Sequence, residues 1–97
     1  MKRLTKEDNF NEIIKSEKVL IDFSAEWCGP CKMLAPVLES IDSIDIYKVD
    51  TDEFPDLARE YGVMSIPTLI YFKDGEIVNR NIGFVSKEDI EEGIKNM

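Results

Sequence analysis

Two cysteines separated by two residues, Cys28 and Cys31, are the side chains of this sequence best suited to chemistry. The surrounding pattern indicates that a buried strand gives way to a helix here, with Cys28 at the helix N-terminus. Unpaired N–H groups and a partial positive charge at that end stabilise a thiolate and lower the pKa of the thiol. Cys31 follows one turn later, within reach of Cys28, so it is able to resolve a mixed disulfide by attacking Cys28.

Two other interpretations of the cysteine pair are also consistent with its residues. Both cysteines could be structural, because free cysteines are often buried, or the pair could form half of a zinc site shared between chains. Gly29 and Pro30, which separate them, are poor packing material and favour the redox interpretation. Gly29 would let the backbone pass close to a substrate, and Pro30 would fix the helix start and stiffen the ring closed by the two sulfurs.

The composition excludes several classes of chemistry. The chain of 97 residues contains no histidine and two cysteines. Cys–His and Ser–His–Asp catalysis are therefore excluded, as is a four-ligand Cys/His zinc site within one chain. We expect no metal or other cofactor.

The net charge and the hydropathy of the chain restrict the kinds of binding partner and the cellular location that we expect. Twelve Lys and Arg face twenty Asp and Glu, a net charge of −8, so nucleic acid and acidic membranes would be repelled. No stretch approaches the roughly 20 apolar residues of a membrane span. Residues 1–8 start basic and then turn acidic, without the apolar core of a signal peptide. We expect one cytoplasmic domain over residues 1–97.

Turn signals divide the chain into alternating helix-like and strand-like segments. Residues 5–8 and 86–89 are typical of capping boxes, Asp74-Gly75 between apolar runs predicts a hairpin, and Pro36 should kink the second helix. Strand–helix–strand order implies parallel pairing and the hairpin implies antiparallel pairing, so a mixed α/β sheet is expected. The predicted helices cover residues 5–16, 30–41, 54–61 and the segment after Ser86; the predicted strands cover residues 19–23, 44–50, 68–72 and 76–82; Phe23, Leu69, Ile70 and Phe72 are assigned to the core.

The segment Trp27-Cys28-Gly29-Pro30-Cys31 resembles the active-site motif of the thioredoxin family. The similarity covers nearly the whole chain. Residues 19–23 look like the family's strand before the motif, Ile66-Pro67-Thr68 like its cis-proline segment, residues 73–76 like its hairpin, and Gly83 like the glycine beside the active-site surface.

This resemblance implies a fold and an activity. The fold would be α/β and thioredoxin-like, with a central mixed sheet of four to five strands flanked by four helices. The activity would be dithiol–disulfide exchange through a reversible Cys28–Cys31 disulfide, with Gly29 and Pro30 tuning its redox balance. The partners would be disulfide-containing target proteins and a thioredoxin reductase.

Asp22 interrupts an apolar run, and a buried carboxyl has a raised pKa. In proteins that resemble this one, the matching aspartate lies behind the second cysteine and takes its proton, as a general base would. The alternative is a position at a strand edge in water. By resemblance Lys48 lies near Asp22 and moderates its pKa, although the pattern fits an exposed strand lysine equally well.

Four residues are predicted to bind substrate. Trp27 would cover the site and help to dock targets; an ordinary core aromatic is the alternative. By resemblance the Ile66–Pro67 bond is cis, which would leave the Ile66 backbone free to pair with an extended substrate segment. A plain loop proline is the alternative for Pro67. Gly83 would lie beside the same surface.

The chain departs from the family pattern at two places. Ser24 stands where many members carry a second tryptophan, and the segment 40–47 is shorter than usual, so the second helix is expected to end early. The leading hypothesis is a monomeric reductant of protein disulfides, recycled by a reductase that is either an NADPH flavoprotein or ferredoxin-linked. An oxidase or isomerase of similar fold and a non-catalytic binding subunit are the alternatives. The missing histidine counts against the former, and the intact cysteine pair against the latter.

Overall fold

One five-stranded mixed sheet organises the protein, and the computed structural model describes all residues, Met1–Met97. In chain order the elements are β1 (Lys2–Arg3), α1 (Phe10–Ile13), β2 (Lys18–Ser24), α2 (Gly29–Glu39), β3 (Asp45–Asp50), α3 (Pro55–Glu60), β4 (Thr68–Lys73), β5 (Glu76–Ile82) and α4 (Lys87–Lys95). The strand order across the sheet is β1-β3-β2-β4-β5. β1, β3 and β2 are parallel, whereas β4 and β5 run antiparallel to their neighbours. The predicted mixed sheet flanked by four helices is confirmed.

Side chains along β2 alternate between two cores because successive residues of a strand point to opposite faces. Val19, Ile21 and Phe23 belong to a core of ten buried residues that includes side chains of α1 and α3. Leu20 belongs to a core of eight on the other face, which includes side chains of α2 and α4. Helices therefore cover both faces of the central strand. The four residues assigned to the core from the sequence, Phe23, Leu69, Ile70 and Phe72, are all at most 1% exposed.

The first helix is much shorter than predicted. The predicted helix over residues 5–16 is wrong at its start, because α1 begins at Phe10. Asp8 Oδ2 accepts the Thr5 backbone N–H at 2.8 Å, which is half of a capping box. Asn9 then adopts an extended conformation and caps a new helix start, its side chain accepting the Glu12 N–H. This local hydrogen bond competes with continuation of the first turn.

Other boundaries follow local chemistry closely. The β4–β5 hairpin turns at Asp74 and Gly75, whose φ values of +52° and +86° are those of a turn that favours glycine. α2 ends at Glu39, earlier than the apolar pattern up to Ile41 suggested. The sequence does not predict β1, because two exposed residues on a sheet edge show no periodic pattern of apolar residues.

No helix of the protein has the length and apolar character needed to span a bilayer.

Candidate redox site

The cysteine pair lies at the junction between β2 and α2. Cys28 is the N-cap residue of α2, and its Sγ accepts a hydrogen bond from the Cys31 backbone N–H at 3.2 Å. The two cysteines form a disulfide with their Cα atoms 5.2 Å apart. Pro30 occupies the first turn, where the N–H that proline lacks would have no helical partner. An N–H donor and a helix N-terminus aimed at one sulfur stabilise negative charge on it, which suits a nucleophilic thiolate.

The loop before β4 forms the other side of the site. The Ile66–Pro67 peptide bond is cis, the isomer that the resemblance implied. The carbonyl oxygen of Ile66 lies 3.8 Å from Cys28 Sγ. Gly83 donates its N–H to the Pro67 carbonyl at 2.8 Å and has φ of +87°, a backbone conformation that favours glycine. The predicted residues Ile66, Pro67 and Gly83 are therefore brought together, with the Ile66 carbonyl facing the sulfur of Cys28.

Trp27 lies on the surface next to the disulfide. Its side chain is 69% exposed, so the alternative of a core aromatic is wrong. The indole Nε1–H donates to Asp52 Oδ2 at 2.9 Å, which ties the ring to the loop after β3. Between Trp27 and Ile66 runs a groove of about 200 Å³, whose wall includes Met64. An exposed aromatic ring beside a groove is a surface on which a partner can pack.

Asp22 is buried on the face of the sheet that α2 covers. It is 2% exposed, and its Oδ1 has no hydrogen-bond partner. Burial raises the pKa of Asp22 to about 7, and the opposing positive charge of Lys48 lowers it. The alternative of a strand edge in water is wrong. A carboxyl that titrates near neutral pH is able to accept a proton and to give it back under working conditions.

Lys48 occupies the position directly opposite Asp22 on the neighbouring strand, with β2 and β3 in parallel register. Its side chain is half-buried, which is intermediate between the inward-pointing lysine and the exposed lysine that the sequence allowed.

Gly29 is exposed, and a Cβ added to it would meet no atom of the chain within 4 Å. Ser24, at the departure from the family pattern, is 1% exposed with an unpaired Oγ.

The sequence did not identify the acids at the end of β3 and in the loop after it. Asp50 Oδ1 accepts the backbone N–H groups of Asp52 at 2.8 Å and Glu53 at 3.3 Å, and so shapes this loop. Asp52 in turn holds Trp27. A signal for this placement was present: parallel strands β2 and β3 end at the same edge of the sheet, which brings the residues after each strand together.

Comparison with known proteins gives a consistent result across nearly the full chain. The family model described as Thioredoxin matches residues 1–96. A thioredoxin of Chlamydia caviae is 52% identical over 94 residues, covering 93% of this chain and 92% of the relative. A thioredoxin of Staphylococcus haemolyticus is 53% identical over 91 residues, covering 89% of this chain and 88% of the relative.

Solved structures resemble the fold closely. Oxidised mitochondrial thioredoxin 3 from Saccharomyces cerevisiae superposes with a TM-score of 0.85 at 38% identity, covering 100% of this chain and 95% of its own. A single-site mutant of a thioredoxin from Halobacterium salinarum gives a TM-score of 0.90 at 34% identity, covering 98% of this chain and 88% of its own.

Proposed function

This chain belongs to the thioredoxin family and is a dithiol–disulfide oxidoreductase, and we propose that it acts as a reductant of disulfide bonds in target proteins. The observation that carries the proposal is the position of Cys28. Its sulfur caps α2 and accepts the Cys31 N–H at 3.2 Å, and the residue directly before it in the chain is the exposed Trp27. A thiolate stabilised in this way attacks disulfides, and the neighbouring cysteine completes the exchange.

The proposed reaction has two steps. The Cys28 thiolate attacks one sulfur of the target disulfide, and the other target sulfur leaves as a thiolate that takes up a proton. Cys31 then gives its proton to Asp22 and attacks Cys28 Sγ. The bond between Cys28 and the target breaks, and the second target sulfur leaves as a thiolate that takes up a proton from solvent. Two electrons have moved from the Cys28–Cys31 dithiol to the target, and the chain is left with the disulfide seen in the structure.

Asp22 is the proposed general base of the second step. Its pKa of about 7 matches the transfer of a proton near neutral pH. Lys48 is the proposed moderator of this group, because its charge opposes the effect of burial on the pKa of Asp22. Replacing Asp22 by Asn should slow release of the target from the mixed disulfide, while the first attack by Cys28 proceeds.

Trp27, Ile66, Pro67 and Gly83 are the proposed binding surface for the target. The Ile66 carbonyl lies close to Cys28 Sγ, where an extended segment of the target could pair with the backbone. Gly29, between the two cysteines, is exposed, and no atom of the chain lies within 4 Å of a Cβ added there. Gly29 and Pro30 between the cysteines support a reducing rather than oxidising couple, since oxidising proteins of similar fold tend to carry a histidine there.

The proposal includes a cellular setting. The chain acts as a monomer and a single domain over residues 1–97, in the cytoplasm and without a bound cofactor. A thioredoxin reductase returns the disulfide to the dithiol after each cycle. The chain's net charge of −8 disfavours nucleic acid and acidic membranes as partners.

The test is the reduction potential of the Cys28–Cys31 couple, followed by the fluorescence of Trp27 in a dithiothreitol redox buffer. Trp27 is the single tryptophan, so its signal needs no label. We expect a potential below that of the glutathione pool, which directs electrons to targets. A potential well above that pool would replace the reductant by an oxidase or isomerase.

Trapping distinguishes the roles of the two cysteines. We expect Cys31→Ser to accumulate a mixed disulfide with a protein target, because the second step is blocked. Cys28→Ser, the matched control that also keeps one cysteine, should trap nothing at a comparable rate. Equal trapping by both variants would contradict the assignment of Cys28 as the attacking residue.

A further inference from the structure

The single guanidinium of Arg3 joins two loops at the edge of the redox site. Arg3 lies on β1, and its Nη1 donates to Glu26 Oε1 at 3.0 Å. Its Nη2 lies 3.3 Å from Asp50 Oδ2 and 3.4 Å from Glu53 Oε1. Glu26 precedes Trp27 in the loop between β2 and α2, whereas Asp50 ends β3 and Glu53 belongs to the loop after it. These four residues are called the Arg3 network.

The Arg3 network closes a circuit that contains Trp27. Trp27 Nε1–H donates to Asp52 Oδ2 at 2.9 Å, and the Asp52 N–H donates to Asp50 Oδ1 at 2.8 Å. Arg3 completes the circuit by pairing with Asp50 on one side and with Glu26, the neighbour of Trp27, on the other. Trp27 is thus restrained through its indole, by Asp52, and through its chain neighbour Glu26, and both restraints lead to Arg3.

From this circuit we infer that Arg3 is a positioning residue that fixes Trp27 for the docking of target proteins. The inference rests on the proposed function. It adds a residue on β1 that affects the binding of targets. Arg3 forms no hydrogen bond with either sulfur, and it is not part of a recognisable sequence motif.

Electrostatics shows why one residue could have this effect. Three carboxylates, those of Glu26, Asp50 and Glu53, lie within 3.4 Å of a single guanidinium. The side chain of Asp50 is 6% exposed, so its charge is poorly solvated. An isolated exposed ion pair contributes little, but a fork that neutralises several acids, one of them buried, contributes more. Without Arg3 the two loops would carry only like charges toward each other.

The expected consequence is a change in docking rather than in chemistry. Trp27 forms one wall of the groove of about 200 Å³ that ends at Ile66, beside Cys28 Sγ. Loosening that wall should weaken contact with a large partner. It should leave the sulfur, its N–H donor on α2 and Asp22 in place, because none of these forms a hydrogen bond with the Arg3 network.

The experiment measures KM and kcat for reduction of insulin, with dithiothreitol as the electron source. For Arg3→Met we expect KM to rise about three- to tenfold while kcat changes by less than about twofold. The rate with 5,5′-dithiobis(2-nitrobenzoate), a small disulfide, and the reduction potential should stay at wild-type values. The fluorescence anisotropy decay of Trp27 should gain a fast local component, which reports the lost restraint directly.

Two further variants separate positioning from charge. Arg59→Met removes an exposed arginine paired with Asp56 at 2.8 Å, with the same change of net charge, and should retain the wild-type KM. Arg3→Lys keeps the charge but lacks the planar fork that reaches several carboxylates, so we expect it to recover less than half of the loss in KM.

The outcomes are distinguishable. Wild-type KM and anisotropy in Arg3→Met would overturn the inference, as would complete recovery by Arg3→Lys. An equal rise in KM for Arg59→Met would also overturn it, because net charge alone would then explain the effect. Failure of the wild-type protein to reduce insulin would instead remove the proposed function.

Discussion

The two faces of the central sheet are made by the same strands, yet they bury different groups. The face toward α1 and α3 buries mainly apolar side chains, with Phe10, Tyr61 and Phe72 in edge-to-face contact at centroid distances of 5.5, 5.7 and 6.3 Å. The buried Thr68 at the end of this face donates its hydroxyl to the Ser65 carbonyl at 2.7 Å. The face toward α2 and α4 is apolar at one end only. At the end nearer the cysteines it carries polar side chains: Asp22, Ser24, Lys48 and Asp50.

Because of this difference, neighbouring residues of β2 have opposite effects on the stability of the fold. Phe23 and Asp22 are neighbours, but they point into opposite cores. Burial of an aromatic ring stabilises the fold, whereas burial of an unpaired carboxylate opposes it. Asp22 Oδ1 and Ser24 Oγ are both buried without a partner. The α2 face therefore gives up stability at the position of Asp22, the proposed general base.

Phe23→Ala tests the apolar face and should have the largest effect. The ring is fully buried and packs against Tyr61 at 6.4 Å between centroids. We expect the free energy of unfolding to fall by about 4 to 5 kcal/mol in urea denaturation, because truncation removes packing and leaves a cavity. The reduction potential of the folded variant, measured at low temperature, should stay unchanged.

Phe23→Leu provides the control in case the alanine variant does not fold. It keeps most of the apolar volume and should lose less than about 2 kcal/mol. A shift of the reduction potential in this folded variant would break the proposed division between the two faces.

Asp22→Asn tests the polar face and should have the opposite sign. Burial raises the pKa of Asp22 from 3.8 to about 7, so the folded state holds this proton more tightly than the unfolded chain. Wild-type stability is therefore lost as pH rises from about 4 to about 7, and the loss is complete above that window. At pH 8 we expect Asp22→Asn to be more stable than wild type by up to about 4 kcal/mol in urea denaturation, with little difference near pH 4.

Asp45→Asn is the matched control, since it removes one exposed carboxylate at the start of β3. It should not reproduce a gain in stability that grows between pH 4 and pH 7. If Asp22→Asn lacked that growth as well, the carboxyl would not be the origin of the instability of the polar face.

Much of this comparison could be predicted from the sequence. The nearly continuous apolar run around Ile21 predicts a strand covered on both faces, and the one acid within it marks the interruption. The cysteine pair and the prolines point to the site because the effect of each on a helix start or a turn depends only on neighbouring residues. Strong local signals of this kind survive folding unchanged, as the hairpin at Asp74 and Gly75 illustrates.

What could not be predicted depends on long-range placement. Arg3 and Asp50 are 47 residues apart in the sequence, and they meet only because β1 pairs with β3 at the edge of the sheet. The capping signal at Thr5 failed because Asn9, four residues later, offers a competing cap. A local sequence pattern does not identify the partner of an exposed arginine. It also does not show which of two neighbouring capping residues will start the helix.

Lys48→Met refines the comparison and should have the smallest effect. The positive charge of Lys48 lowers the pKa of Asp22, against the larger effect of burial. Removing that charge should raise the pKa of Asp22 by about half a unit to one unit, equivalent to about 1 kcal/mol. The measurement is an NMR titration of the Asp22 carboxyl carbon from pH 4 to pH 10 in the oxidised protein.

Lys18→Met distinguishes a specific pair from general charge. Lys18 is also half-buried and lies on the same face of β2 as Asp22, but four residues away along the strand, a distance of about 13 Å. It should move the titration of Asp22 much less than Lys48→Met, because charge interactions at that separation are largely screened. Equal shifts in the two variants would mean that Asp22 responds to the net charge of the chain, and Lys48 would then have no special part in tuning the polar face.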